Sequence, residues 1–299
     1  MKSVIAIACV IAAGCGSKSE PPPLPPETAL EVIDAGLEPR TQLRYHLAKG
    51  TRTPWEITGD MVLGSGSEAV PWPTIVTGTE IVADDVLADG TMRVHYTVVS
   101  ATAHDRLNQL LTAEQMNPPL QLLVGTTIAG TLTPTGALTG LTVDTGGKQL
   151  PPVLQAQVSS LTRAFERIAM PLPTEAVGIG ALWTFKQALD QSGMKLNAAT
   201  TIKVTAITPT GVAITLTSEL SGPDQTVDES GTKVSLAKLG GKMRGTGTID
   251  LTRLTLAGEL VADLHMVMSS GGQSETTTMT TTLKLAPQPP ADQGAQKAP

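Results

Sequence analysis

The side chains that could bind a metal or act as acids and bases are few and scattered in this chain of 299 residues. Its four histidines are His46, His95, His104 and His265. None of them shows the close spacing to another histidine, a cysteine or a carboxylate that metal-binding motifs have, and no Gly-x-Ser-x-Gly element offers a nucleophile. Because three of the histidines fall on the more polar sides of predicted strands, we expect solvated side chains. The sequence therefore predicts a protein that is not an enzyme and needs no cofactor or metal.

Two further polar stretches have ordinary structural interpretations. Asp84, Asp85 and Asp89 lie close together in ADDVLADG, but a calcium loop needs a longer ligand set that closes with a glutamate, whereas Asp-Gly favours a turn. The run TTTMTTT (276–282) occurs once, without the stacked repetition of an ice-binding surface. These stretches predict a turn and a threonine-rich strand.

One reactive group, the thiol of Cys15, has a predicted role. Lys2 precedes an apolar run from Val4 to Ala13, which is too short for a membrane-spanning helix of roughly 20 residues. A positive start, a short apolar run and small residues after it indicate a secretory signal. Both cysteines, Cys9 and Cys15, fall in this segment, so an ordinary cleavage would leave one unpaired thiol in an oxidising compartment.

The residues Ala12-Ala13-Gly14-Cys15 resemble the lipobox of bacterial lipoproteins, with Ala12 where Leu is most common. The resemblance implies that the chain is cleaved after Gly14 and that Cys15 is acylated, which anchors the protein in a membrane. Because Gly16 rather than Asp follows the cysteine, the resemblance implies the outer membrane, with the domain facing the periplasm or the cell exterior. An ordinary secretory signal with an incidental Cys15 is the alternative.

The composition limits the kinds of molecule that the protein is expected to bind. Aromatic residues make up 2% of the chain and the formal net charge is −6, a poor match to nucleic-acid binding. Proline-rich stretches at both ends of the chain predict a flexible spacer and a disordered tail. The predicted order is a signal peptide (1–14), the lipidated cysteine and spacer (15–36), a first β-rich half (37–150), a connecting helix (151–170), a second β-rich half (171–285) and the tail (286–299).

Alternation of apolar and polar residues predicts strands through much of the chain. It occurs in 41–50, 91–100, 260–268 and 279–285. The stretch 201–220 predicts a hairpin with a Thr-Pro-Thr-Gly turn. The predicted apolar faces include Leu43, Tyr45 and Leu47; Met92, Val94, Tyr96 and Val98; and Leu260, Leu264, Met266 and Met268.

Two stretches have helical spacing instead. The first, 103–116, carries Leu107, Leu110 and Leu111. The second, 151–170, carries a one-sided stripe that we expect to pack on the sheet, with prolines suited to its start and stop. The stripe comprises Leu154, Val158, Leu161, Phe165 and Ile168.

An internal repeat aligns Gly90 with Gly211 and Gly130 with Gly247. The sequence therefore predicts a mostly β (α+β) fold, with curved antiparallel sheets built from two related halves and one or two helices packed on them. The stretches LRYHLAKGTRTPWEITGDM, PLPTEAVGIGALWTF and GTGTIDLTRLTLAGELVADLHMVM resemble an uncharacterised family of bacterial lipoproteins. A Pro-x-x-x-Val-x-Gly-x-x-Trp element of that family is nearly matched here, with Trp183 slightly late.

The resemblance implies a location and a fold but no activity, because the family carries none. The pattern is also similar, at the level of the fold, to periplasmic lipoprotein carriers and lipid-binding proteins. We therefore expect an envelope protein that binds or carries an apolar ligand or lipid. A structural or assembly lipoprotein that contacts other envelope proteins is the alternative.

A curved sheet with a helix over its concave face can leave an aliphatic cavity. Methionine adapts to ligands of irregular shape, although the same side chains would equally fill a dry core. The predicted lining comprises Val94, Val98, Ile214, Leu216, Leu264, Met266 and Met268.

Overall fold

The computed structural model describes residues 30–65, 68–148, 158, 162, 165, 169–191, 194–229, 232–270 and 273–288. These residues form one large antiparallel sheet that is not closed, and a helix, α1 (Ala113–Leu123). The strands are β1 (Glu31–Asp34), β2 (Arg52–Ser65), β3 (Glu68–Pro71), β4 (Thr74–Val86), β5 (Met92–His104), β6 (Thr127–Leu132), β7 (Leu138–Asp144), β8 (Leu182–Gln191), β9 (Met194–Ile207), β10 (Gly211–Ser221), β11 (Gln225–Glu229), β12 (Thr232–Asp250), β13 (Thr255–Ser270) and β14 (Gln273–Pro287). The mostly β, antiparallel prediction is confirmed.

The strand order is β1-β8-β9-β10-β12-β13-β14-β2-β4-β5-β6-β7, with β3 paired to β2 and β11 paired to β12. Strands whose sequences alternate between apolar and polar residues also alternate between buried and exposed residues in the structure. β5 and β10 bury every second residue along most of their length, which is the pattern of a strand with one face on a core. The predicted hairpin joins β9 to β10, and its turn is closed by a 2.8 Å hydrogen bond from the Thr208 N–H to the Gly211 carbonyl.

The first predicted helix begins later than expected. Residues 105–112 form turns and bends, Leu107 is 90% exposed, and α1 begins after Thr112. The reason is a capping box: the Thr112 side chain accepts from the Gln115 N–H, and the Gln115 side chain accepts from the Thr112 N–H. Asn108, with a φ of 57°, also interrupts any helix through the leucines.

The predicted strand at 41–50 is wrong, although its apolar alternation is right. Within the described residues, this segment is extended and makes a single β-bridge, from Thr41 to Val177. It ties two turns together: the Tyr45 N–H donates to the Pro134 carbonyl at 2.8 Å, and the His46 N–H donates to the Leu251 carbonyl at 2.9 Å. Leu43, Tyr45 and Leu47 are 1%, 2% and 3% exposed, so alternation here indicates burial without strand pairing.

The main core lies on one side of the sheet, which we call the inner face. Side chains from both ends of the strand order meet there, including Trp183, Ile202 and Val94. The described residues 158, 162 and 165 are helical, and the Phe165 ring packs on Tyr96 with 5.2 Å between centroids. Leu154, Leu161 and Ile168 of the predicted stripe lie outside the described residues.

The first and last described strands can be compared with the predicted spacer and tail. β1 falls within the predicted spacer, and Leu30 and Val32 pack against the main core. β14 includes Ala286 and Pro287, which pair with Glu56 and Trp55. Cys15, Gly14 and residues 289–299 lie outside the described residues.

Candidate functional site

The seven predicted ligand-lining residues all belong to the inner face. Strand registers connect them: Val94 pairs with Gly130, Ile214 with Gly247, and Leu264 with both Gly241 and Met279. Because side chains directly opposite each other in a sheet point to the same side, these pairs carry one face continuously from β10 to β6. The seven residues therefore share one face of the sheet.

The same residues divide among three clusters of buried side chains. Val94, Val98, Ile214 and Leu216 belong to the main core and are 5% exposed or less. Leu264 packs with Ala198 and Leu220. Met266 and the half-buried Met268 pack with side chains that include Leu196 and Leu236. A role for these seven residues in ligand binding stays a prediction.

A single transverse row of the inner face shows where the core ends. Paired residues run from Ile202 through Leu216, Gly245, Leu260, Leu283, Gly59 and Ile75 to Ala103. Ile202, Leu216 and Ala103, at the ends of this row, are buried. The five residues between them, on β12, β13, β14, β2 and β4, are half-buried. The middle of the inner face is therefore more open than its two sides.

Burial along the strands supports the same conclusion. β10 alternates between buried and exposed residues, whereas β2 is half-buried at every position from Glu56 to Ser65. A strand with one fully covered face alternates in burial. β2 does not alternate here, although Ile57 still packs against the edge of the main core, as Ile75, Met243 and Leu260 do. The half-buried apolar side chains of this region form what we call the open apolar face. They are Ile57, Met61, Leu63, Ile75, Met243, Leu260, Met279 and Leu283.

Methionine is concentrated on this part of the sheet. Five of the chain's ten methionines lie on the inner face of β2, β12, β13 and β14. They are Met61, Met243, Met266, Met268 and Met279. Flexible, polarisable thioethers adjust to irregular apolar surfaces, so this region can follow the shape of an apolar partner.

The outer face of the same strands has the opposite character. Thr278, Thr280 and Thr282 follow one another on β14. The Thr280 hydroxyl donates to the Asp263 carboxylate at 2.9 Å, and Arg244 pairs with that carboxylate at 3.1 Å. The outer face of these strands is thus more exposed and more polar than the inner face, although Val62, Val261 and Val267 also lie on it.

Sequence reasoning missed most of the open apolar face. Met243 and Leu283 alternate with polar neighbours as any core strand does, and Met61 lies in a short apolar run with Val62 and Leu63, so periodicity could not separate a covered face from an uncovered one. The clustering of methionine in segments later found side by side was the available signal.

The histidines and aspartates form no metal site within the described ranges, where no group of three or more His, Cys, Asp or Glu side chains could hold an ion. His95 pairs with Asp84 at 2.8 Å on the outer face. Asp89 closes the predicted turn: its carboxylate accepts from the Thr91 N–H at 3.0 Å, and this bond lowers the pKa of Asp89. Lys49 lowers the pKa of Asp85 in the same way.

Two tyrosines are buried in the main core. Burial raises the pKa of Tyr96 to about 12, against a smaller opposing effect of its hydrogen bond with Thr79. Burial also raises the pKa of Tyr45, whose hydroxyl lies 3.2 Å from the Met170 carbonyl. Both hydroxyls therefore stay protonated near neutral pH and act as structural groups.

A separate cleft of about 560 Å³ lies where β2 begins, β14 ends and the β12–β13 turn approaches. Its lining includes His46, Arg52, Thr53, Thr252, Arg253 and Gln288. The seven predicted residues and the open apolar face do not contribute to this lining.

In the part of the chain that the structure describes, no helix has the length and apolar character needed to cross a membrane. No curated protein matches the chain. Among solved structures, DynF from the dynemicin biosynthesis pathway of Micromonospora chersina aligns over 88% of this chain and 91% of its own, at 10% identity and a TM-score of 0.18. So low a TM-score carries no argument about fold or function.

Residues 148–253 match the model of a family of unknown function (DUF6263). The match spans β8 to β12 and about a third of the chain. Over this region the chain is therefore similar to an uncharacterised family, in agreement with the resemblance found in the sequence.

Proposed function

We propose that this chain is a lipid-anchored envelope protein that binds or carries an apolar ligand, and that the ligand lies on the open apolar face. The observation that carries the proposal is the contrast between the two faces of β12, β13, β14 and β2. A surface of eight half-buried apolar side chains on one side, backed mainly by threonines and charges on the other, fits a site for an apolar molecule.

The composition of the face favours a flexible ligand such as an acyl chain. Gly59 and Gly245 interrupt the transverse row between larger side chains, and methionines border it. A methyl group placed at Gly59 would just contact Leu283 at 3.4 Å, whereas the space over Gly245 is filled by Leu260, so a slender ligand would have to move these leucines to reach the backbone. Binding would bury apolar surface at about 25 cal/mol per Å².

The location is the second part of the proposal. The resemblance of residues 12–15 to a lipobox supports acylation of Cys15 and outer-membrane anchoring through the part of the predicted spacer that precedes β1. Cys15→Ser should leave the domain folded and move it from the membrane fraction to the soluble fraction. Retention of the Cys15→Ser protein on the membrane would contradict the anchor.

We further infer that the sheet consists of two related halves. Strands β4-β5-β6-β7 and β9-β10-β12-β13 lie in the same order. In each set the aligned glycine pairs with an apolar residue of the preceding strand, Gly130 with Val94 and Gly247 with Ile214. Each glycine also makes room for a leucine of the following strand: a Cβ would lie 2.6 Å from Leu141 at Gly130 and 2.8 Å from Leu256 at Gly247.

The ligand proposal is tested with paired variants at adjacent positions of β14. Leu283 belongs to the open apolar face and Thr282 to the outer face, and both are half-buried. The chain from Gly16 to Pro299, which lacks the cysteine that we expect to be acylated, serves as the parent; it is purified from bacteria without detergent and examined by native mass spectrometry for extra mass that disappears on denaturation. We expect such mass in the parent and in Thr282→Gln, and its loss in Leu283→Gln.

The alternative is an assembly lipoprotein that contacts another envelope protein through the same face. Two results together would favour this alternative. The parent chain would carry no bound mass, and another envelope protein would crosslink to it at Met61 or Met279 but not at Thr282. Equal loss of bound mass in Leu283→Gln and Thr282→Gln would contradict a site on the open apolar face.

A further inference from the structure

Exposed apolar side chains gather at the end of the sheet that β1 forms. Ile33 is 60% exposed, Leu37 70% and Ile179 49%. They are three of the nine large apolar side chains that are exposed among the described residues. Single exposed apolar side chains are ordinary, whereas several together indicate a contact surface. We call these three residues the edge patch.

The backbone holds the edge patch together. The Leu37 N–H donates to the Ile179 carbonyl at 2.9 Å, and a second backbone hydrogen bond, of 2.8 Å, joins the same two segments. Ile33 lies in the segment that leads to Leu37, at a register shift in β1, and follows Val32, which packs on the main core. Its exposure shows that Ile33 turns away from that core. The three side chains therefore belong to one fixed part of the surface.

Ile179 occupies the tip of a tight turn. The Gly178 carbonyl accepts from the Ala181 N–H at 3.1 Å, which places Ile179 and Gly180 at the tip. Gly180 has a φ of 87°, the left-handed conformation that favours glycine in such turns. Turn tips mostly carry glycine, proline or small polar residues. Here a branched aliphatic side chain instead leaves about half of its surface in water.

The proposed anchor determines what the edge patch meets. Leu30, where the described chain begins, is 15 residues after Cys15. Fifteen residues span at most about 50 Å, so the end of the sheet where the chain enters the domain is the part that acylated Cys15 holds nearest to the membrane. A tether of this length makes contact with lipid an intramolecular event, and even a weak apolar contact then forms readily.

The charges beside the edge patch indicate which lipid it can approach. Glu31 and Asp34 are exposed on β1, and exposed Glu38 pairs with Arg40 at 3.5 Å. The carboxylates outnumber the guanidinium, so an anionic lipid surface would repel this segment. A zwitterionic surface would not repel it.

We propose that the edge patch inserts Ile33, Leu37 and Ile179 into the lipid–water interface of the zwitterionic leaflet that holds Cys15. The acyl chains keep the protein on the membrane, and the edge patch fixes the orientation of the sheet relative to the bilayer. This inference rests on the anchor in the proposed function. It does not require a ligand on the open apolar face.

Leu37→Cys and Leu107→Cys form a matched pair for the test, because Leu107 is 90% exposed in the loop before α1. In the acylated full chain the introduced cysteine is the sole free thiol, so it alone takes an environment-sensitive fluorophore. On phosphatidylcholine vesicles, the label at residue 37 should shift its emission to shorter wavelengths and be quenched by nitroxide-labelled lipid. The label at residue 107 should do neither.

Two further changes should weaken insertion at residue 37. Adding Ile179→Asn to Leu37→Cys should lower the ratio of inserted to free edge patch by about tenfold, because half of an aliphatic side chain is lost from the apolar contact. Replacing part of the phosphatidylcholine by phosphatidylglycerol at low salt should also lower that ratio, and added salt should restore it. Leu283→Gln should leave the signal at residue 37 unchanged, which separates the edge patch from the proposed apolar site.

The same labels in the chain from Gly16 to Pro299, mixed with excess vesicles, test the edge patch without the anchor. If the parent full chain accepts the label, Cys15 is not acylated and the anchor fails, and the contrast between residues 37 and 107 in the shorter chain then decides the proposal. Equal signals at the two positions in both chains overturn it. A shift at residue 37 that appears without vesicles and grows with protein concentration also overturns it, because the edge patch then binds a second copy of the chain.

Discussion

Glutamine should be tolerated at Leu283 and strongly destabilising at Leu216, although both leucines lie in one transverse row of the inner face. Leu216 is 5% exposed and belongs to the main core. Leu283 is half-buried between Leu260 and Gly59. The two substitutions make the same chemical change at two depths of burial, so the difference between them measures how open the middle of the sheet is.

The expected magnitudes follow from burial. At Leu216 the protein loses about 2 kcal/mol of apolar transfer free energy and buries an amide whose missing hydrogen bonds cost about 1–3 kcal/mol more. The free energy of unfolding should therefore fall by about 4 kcal/mol. At Leu283 the amide can stay hydrated and only part of the apolar contact is lost, so the decrease should be about 1 kcal/mol.

Urea unfolding followed by circular dichroism gives both values, provided that the dependence on denaturant is the same in the two variants. Parent protein and Thr282→Gln serve as references, and Thr282→Gln should change stability by less than about 0.5 kcal/mol. A loss at Leu283 as large as that at Leu216 would refute the reasoning, because it would mean that the open apolar face is closed by a further layer.

Three other variants test the core, the edge of the sheet and the helix. Between pH 10 and 12 the protein should lose up to about 3 kcal/mol of its free energy of unfolding, because the pKa of Tyr96 is about 12 in the folded state and 10 in the unfolded state. In Tyr96→Phe the free energy of unfolding should change less over this pH range. Gly178→Ala should destabilise the protein by about 2 kcal/mol or more in thermal unfolding, because a Cβ would lie 1.7 Å from the Leu37 carbonyl oxygen and disturb the backbone bonds of residues 35–37. Thr112→Ala removes the cap of α1 and should cost about 1 kcal/mol in urea unfolding, whereas Thr112→Ser should be nearly neutral.

The strands were predictable where the two-residue period continued into regular pairing. Alternation located β5, the β9–β10 hairpin, β13 and β14, because each strand packs at least part of one face on other apolar side chains. The same signal failed at 41–47, where burial of Leu43, Tyr45 and Leu47 arises from a segment that bridges two turns. A period of two shows which side chains are buried, but the backbone partner depends on distant residues.

The candidate sites were less predictable, for a related reason. Leu260 and Leu283 look like core residues in the sequence, and only the strand order shows that they lie in the part of the row where burial decreases. The cleft could not be found at all, because its lining comes from the start of β2, the β12–β13 turn and the end of β14, which are far apart in the chain.

The strongest argument for a ligand on the open apolar face is that the same strands carry a polar surface on their outer face. Thr280, Asp263 and Arg244 form a hydrogen-bonded polar surface that is more exposed than the inner face, so this sheet can keep an exposed surface polar. The inner positions of β12, β13, β14 and β2 instead carry methionine, leucine and isoleucine among glycines, Ala262 and Thr281. Since each of these central strands is paired on both sides, such residues are not needed to hold the strands together. The occupant that we propose would account for these apolar side chains. An acyl chain would have the right chemistry in the membrane environment that the lipobox resemblance around Cys15 predicts.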